Sequence, residues 1–138
     1  MSLLENIKAA VQDGDRVRLG YGRQPELAYT VQPDGRRNPK PWVVAWPDAG
    51  TVYAATMKWN DGRDLTITFR CYGIEPESAA VAVRRVESAC YAQHGTTVDG
   101  RTIHYPEQLT AVPLDREDET DPPNYVYVVE WRFRSTPA

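Results

Sequence analysis

The chain has 138 residues, with sixteen Lys and Arg against nineteen Asp and Glu and a formal charge of −3, a balance that argues against a dedicated duplex-DNA binder. With 41% hydrophobic and 25% charged residues, the composition is neither disordered nor membranous, and a chain this long buries a core without a disulfide framework or a structural metal. No apolar run approaches the ~20 residues that cross a bilayer, and the N-terminus lacks the basic and long apolar regions of a signal peptide, so synthesis in a reducing cytoplasm is expected.

Ser2-Leu3-Leu4-Glu5 is a capping box, in which the Ser2 oxygen accepts from the Glu5 amide. Behind it Leu3, Leu4, Ile7, Ala10 and Val11 follow helical spacing until Asp13-Gly14-Asp15 stops the helix. Arg16 to Leu19 reads as a short strand with Val17 and Leu19 on one face. From Gly20 to Pro41 neither period is present, and Gly20, Gly22, Pro25, Pro33, Gly35, Pro39 and Pro41 interrupt any regular element. This predicts a long loop without structure of its own in an isolated subunit. From Gly22 it carries Arg23, Arg36, Arg37 and Lys40 against Glu26 and Asp34.

Trp42 to Trp46 is an aromatic and β-branched strand closed by the turn Pro47-Asp48-Ala49-Gly50. Thr51 to Trp59 reads as its returning partner, and Asn60-Asp61-Gly62-Arg63 as the next turn. Asp64 to Tyr72 alternates strictly: Leu65, Ile67, Phe69 and Cys71 share a dry face, and Thr66, Thr68, Arg70 and Tyr72 a wet one. At Pro76 the period changes to helical, with Ala79, Val83, Val86 and Cys90 on one face, Ala82 and Ala89 beside it, and an end near Gln93. Thr96 to Tyr105 reads as a hairpin around Asp99-Gly100. Leu109 to Leu114 is an edge or bulged strand because it contains Pro113. Asp115 to Pro123 reads as a loop of five acids and one Arg. Asn124 to Arg134 is the last strand, with Tyr125, Tyr127, Val129, Trp131 and Phe133 inward and a short free tail beyond. The order predicts an α+β fold over residues 1–138 as a single domain. It has one mainly antiparallel sheet, two helices packed on one face, and a long loop after the first short strand.

Residues with the types and spacing of a chemical site are few. Cys90 and His94 stand at i, i+4 on one helical face, with Cys71 and His104 as further ligands of the right type for tetrahedral zinc. Their spacing fits no compact finger or ribbon, and both cysteines lie on apolar faces, where free Cys packs as a small hydrophobe. A Cys90–His94 nucleophile pair would place its thiolate late in a helix, where the dipole opposes it. The acids of Asp115 to Asp121 are solvated neighbours, unlike a glycosidase pair on rigid walls. No phosphate-cradling loop is present. No catalytic constellation and no cofactor are expected.

The whole-chain plan carries a resemblance. A short helix and strand lead through a long loop to Asn38-Pro39-Lys40-Pro41-Trp42-Val43-Val44. The strand Asp64-Leu65-Thr66-Ile67-Thr68-Phe69-Arg70-Cys71-Tyr72-Gly73 runs directly into the helix Ser78 to Tyr91, and a late acidic loop precedes Tyr125-Val126-Tyr127-Val128-Val129-Glu130-Trp131-Arg132-Phe133. This resembles the tail terminator (tail completion) proteins of long-tailed, non-contractile bacteriophages over nearly the full length, in order of elements and not in a diagnostic motif. The resemblance implies a structural virion protein at the tail–neck junction with no catalytic residues. It implies a hexameric ring that caps the tail tube, ends tube polymerisation and joins the tail to head-completion (neck) proteins, with DNA passing through the lumen without specific binding and no membrane partner. Charge complementarity then makes the basic loop and the acidic loop the expected subunit or tube interface: Arg23, Arg36, Arg37 and Lys40 on one, Asp115, Glu117, Asp118, Glu119 and Asp121 on the other. Two alternatives stay open: another head–tail connector such as a stopper or adaptor, and a small metal-binding protein using Cys71, Cys90 and His94.

Overall fold

In a computed structural model, residues 2–48, 51–52, 62–119 and 123–138 are described. Helix α1 spans Leu3–Gln12, and the Ser2 side chain accepts from the Glu5 amide at 3.1 Å, a cap worth about 1 kcal/mol. Ile7 and Val11, one turn apart, are fully buried. A 3₁₀ turn over Asp13–Asp15 ends the helix, with Gly14 at φ +76°. The Arg85 guanidinium donates to the Asp13 carbonyl at 2.7 Å, so a cation from the second helix meets the negative end of the first.

Strand β1 is Arg18–Tyr21, two residues later than the sequence predicts, although Val17 and Leu19 are buried as expected. It pairs in parallel with β4, Trp42–Pro47, with Arg18 opposite Trp42 and Gly20 opposite Val44. The stretch between them is not the structureless loop that its prolines and glycines predict. It contains β2, Tyr29–Val31, and β3, Arg37–Pro39, which pair antiparallel as a separate two-stranded sheet. Strand β5, Thr51–Val52, pairs with Asp64 and Arg63. The rest of the expected strand to Trp59 and the turn at Asn60-Asp61 lie outside the described residues.

Strand β6, Arg63–Gly73, holds the centre of the sheet between β4 and the last strand, β10, Asn124–Pro137. Its alternation holds: Ile67, Phe69 and Cys71 are fully buried and Leu65 packs against them half-buried. Ala45, Phe69 and Val129 stand in one row across β4, β6 and β10. Strand β6 then passes into α2, Pro76–Tyr91, through Gly73, where a Cβ would lie 2.5 Å from the Ala79 amide nitrogen. Pro76 takes the first helical turn, where its missing N–H costs nothing. Ala79, Ala82, Val86, Ala89 and Cys90 are buried. The helix stops at Tyr91, short of Gln93, because the Gln93 amide turns back to the Cys90 carbonyl and Gly95 adopts φ +78°.

Strands β7, Thr97–Val98, and β8, Arg101–Ile103, form the expected hairpin, with Asp99 at φ +52° and Gly100 at φ +73°, the signature of a type I′ turn. Strand β9, Glu107–Glu117, is longer than the predicted Leu109–Leu114. It bulges at Pro113: Asp115 faces Val126 and Val112 faces Val128, leaving Pro113 and Leu114 opposite Tyr127 alone. Asp115, Arg116 and Glu117 therefore belong to a strand and not to a loop. β10 pairs with β6 on one side and with β9 and then β8 on the other, and runs to Pro137, so the predicted tail is strand.

The result is an α+β fold dominated by an antiparallel-rich sheet, with β1–β4 as a parallel pair. Ile7 and Val11 of α1 and Ala82, Val86 and Cys90 of α2 share one core with Val43, Ile67, Phe69, Trp131 and Phe133 of the sheet. Tyr125 and Tyr127 are only half-buried, whereas Val126, on the opposite face, is buried. Its row neighbour Tyr72 stacks on Trp42, with ring centroids 5.3 Å apart and planes at 7°. The face predicted to be wet thus carries an apolar strip. Among the described residues no helix is long and apolar enough to cross a membrane.

Candidate assembly surface

The hairpin arm β2–β3 is built around Gln32-Pro33-Asp34-Gly35-Arg36. Pro33 presets φ, Gly35 adopts φ +84°, and the Gly35 amide donates to the Gln32 carbonyl at 2.9 Å, which makes a type I turn followed by a left-handed residue. The Asp34 carboxylate accepts from the Arg36 amide at 3.0 Å. At the base, the Lys40 amide donates to the Ala28 carbonyl at 2.7 Å and the Lys40 ammonium to the Asp15 carbonyl at 3.0 Å. The arm is tied down at its root and open elsewhere, with Tyr29 and Val31 47% and 64% exposed.

The four predicted cations separate. Arg36 sits at the tip, its side chain 80% exposed, with the Asp34 carboxylate 3.4 Å from Nε. Arg37 is exposed on β3. Lys40 serves the root, as above. Arg23 lies elsewhere, where it lines two neighbouring clefts. The predicted acids also separate. Asp115 and Glu117 are on β9, and Asp118 and Glu119 form the turn beyond it. The Arg116 guanidinium reaches Asp118 at 2.6 Å, and the Arg116 amide donates to Asp115 at 2.8 Å. Asp121 lies outside the described residues.

One recess of about 320 Å³ on the outer sheet face is lined by Arg23, Trp42, Trp46, Arg70, Tyr72 and Glu117, among others. One member of the basic loop, Arg23, and one of the acidic segment, Glu117, thus line the same recess within a single chain. A larger cleft of about 500 Å³ beside it is lined by Lys8, Arg18, Arg23 and Glu26. Its wall is held by the turn after β1, which folds back so closely on Gly20 of that strand that a Cβ there would lie 2.3 Å from the Arg23 carbonyl. Tyr21 closes the inner end; its hydroxyl donates to the Leu4 carbonyl, and burial pushes its pKa up to about 12.

The cysteine and histidine candidates do not converge. Cys71 and Cys90 are both in the core, and burial pushes both thiols up. His94 is exposed and packs edge-on against Tyr105, and His104 hydrogen-bonds the Thr136 hydroxyl at 2.9 Å. Among the described residues no group of three or more His, Cys, Asp and Glu side chains is gathered as metal ligands are.

Sequence reasoning missed the arm, although the signal is present: Pro-Asp-Gly between Val31 and Arg36, preceded by the β-prone run Tyr29-Thr30-Val31. No protein-family model matches the chain, and no curated protein matches it.

Proposed function

We propose that the chain is a structural assembly protein of the tail-terminator kind. Copies form a ring, in the six-fold form of that family, which caps a phage tail tube, ends its polymerisation and offers its other face to the head-completion proteins. On this reading both helices cover one face of the sheet, and the arm, the outer strip with Trp46 and the acidic turn are left for neighbours.

The observation that carries this reading is the arm. It stands outside the main sheet, and it exposes Tyr29 and Val31 where an isolated subunit gains nothing from apolar side chains. A two-stranded ribbon is marginal alone in water, so its value lies in what it docks against. Basic tip and acidic turn set the register of that contact more than its strength.

The test is a polymerisation assay. Tail-tube protein assembled with the purified chain present should give short tubes, each with added density at one end in electron micrographs. Tubes of unchanged length with bare ends overturn the reading.

A further inference from the structure

We propose that β2 of one copy adds to the open edge of β9 on the next copy, extending its sheet, so that strand addition is the contact between subunits. The inference rests on the self-assembly half of the reading above and needs nothing of the tail tube.

Among the described residues β9 pairs with β10 alone. On its far side the β9 residues not bonded to β10 turn backbone N–H and C=O groups outward, in short runs on either side of the bulges at Leu109 and Pro113, which has no N–H; Leu109 and Val112 are 42% and 44% exposed there. An open edge of this kind is a template for another strand.

The arm supplies the matching strand. Its internal hydrogen bonds run from Lys40 to Ala28 and from Gln32 to Arg36. Bonded and non-bonded pairs alternate along an antiparallel ribbon, so the pairs Tyr29–Pro39 and Val31–Arg37 turn their backbone groups outward. On the β2 side, Tyr29 and Val31 each offer a complete N–H and C=O. On the β3 side, Pro39 has no N–H to give. β2 is thus the edge fitted to extend a sheet, and its exposed Tyr29 and Val31 side chains come with it.

Charge selects the occupant. The sole cation on β9 is Arg116, which already holds Asp118 at 2.6 Å. A second β9 would bring carboxylates to carboxylates. The arm brings Arg36 and Arg37 toward Asp115 and Glu119, with long side chains that tolerate solvent. A contact between two different surfaces of the same chain is heterologous, and it closes into a ring or continues as a filament.

The experiment uses the full chain in two single variants, Val31→Cys and Val112→Cys, each alone and mixed, with a bis-maleimide long enough to absorb a one-residue slip in register. Cys71 and Cys90 are buried and do not compete. The mixture should give the 31–112 product, neither variant alone should cross-link, and a chain carrying both substitutions should give a ladder. Efficient cross-linking of Val112→Cys to itself overturns the proposal in favour of paired β9 edges. Assembly by native mass without the 31–112 product overturns strand addition but leaves self-assembly standing, whereas a monomer at every concentration overturns both. Val31→Pro removes one outward N–H and none of the arm's own bonds. It should raise the concentration needed for assembly at least ten-fold with an unchanged thermal melt; unchanged assembly also overturns the proposal.

Discussion

Phe69→Ala probes the face assignment on which the sheet is built. Phe69 is fully buried in the middle of β6, between Ala45 of β4 and Val129 of β10. A buried Phe takes about 150–200 Å² of apolar surface out of water. Losing roughly two-thirds of that at about 25 cal/mol/Å² costs ~2.5–3.3 kcal/mol. The neighbour across β4 is only Ala45 and both flanking strands are held in register, so the site collapses poorly and the cavity adds about 1–2 kcal/mol. The total of ~3.5–5 kcal/mol consumes much of a domain's net stability of about 5–15 kcal/mol. Urea melts followed by tryptophan fluorescence read it directly, because Trp131 shares the same core. Leu109→Ala, on the exposed β9, is the control and should cost under about 1 kcal/mol. A Phe69→Ala loss as small as the control's would refute the assignment of faces.

Gly73→Ala places a methyl group 2.5 Å from the Ala79 amide nitrogen and 2.6 Å from Ser78 Cβ, so the start of α2 must shift; denaturant melts should show a loss of about 1–3 kcal/mol, and a neutral result would mean that strand and helix are less closely apposed. Tyr21 ionises with its pKa raised by burial to about 12. Stability tied to the neutral phenol is therefore complete below about pH 10 and lost as pH rises towards 12; Tyr21→Phe should remove that alkaline dependence in pH-resolved thermal melts, and an unchanged profile would assign it elsewhere. Neither Cys71 nor Cys90 should react with a maleimide at neutral pH until the chain unfolds, as mass spectrometry of native and urea-treated protein will report. Arg36→Glu with Arg37→Glu should leave the melt within about 0.5 kcal/mol of the parent, since both are exposed, while sedimentation shows weakened assembly; raised salt should act in the same direction.

What the sequence made legible follows periodicity and local turn chemistry. The alternation from Leu65 to Cys71 placed the central strand, because one face of β6 is dry. The spacing Ala79-Val83-Val86-Cys90 placed the buried helical face, with Val83 at its half-buried margin, and Asp99-Gly100 placed a hairpin whose backbone demands positive φ at both residues. The failures have equally specific causes. Pro33-Asp34-Gly35 reads as a breaker when its neighbours are counted, yet it is the tip of a ribbon too short for two-residue periodicity to register. Asp115-Arg116-Glu117 reads as loop by polarity, but an edge strand exposed to solvent needs only backbone partners, which Asn124, Tyr125 and Val126 supply. Parallel pairing of β1 with β4, the burial of Val126 on the outer face and the placing of Arg23 and Glu117 around one recess depend on which strands become neighbours. No local pattern encodes that.

Whether the chain works as a closed assembly of identical copies is tested most directly by its mass under native conditions. Native mass spectrometry of the full chain at low salt should give a discrete species at six times the 15.6 kDa subunit, falling towards the monomer as salt is raised. A single species at the subunit mass, at every concentration and ionic strength, would contradict it.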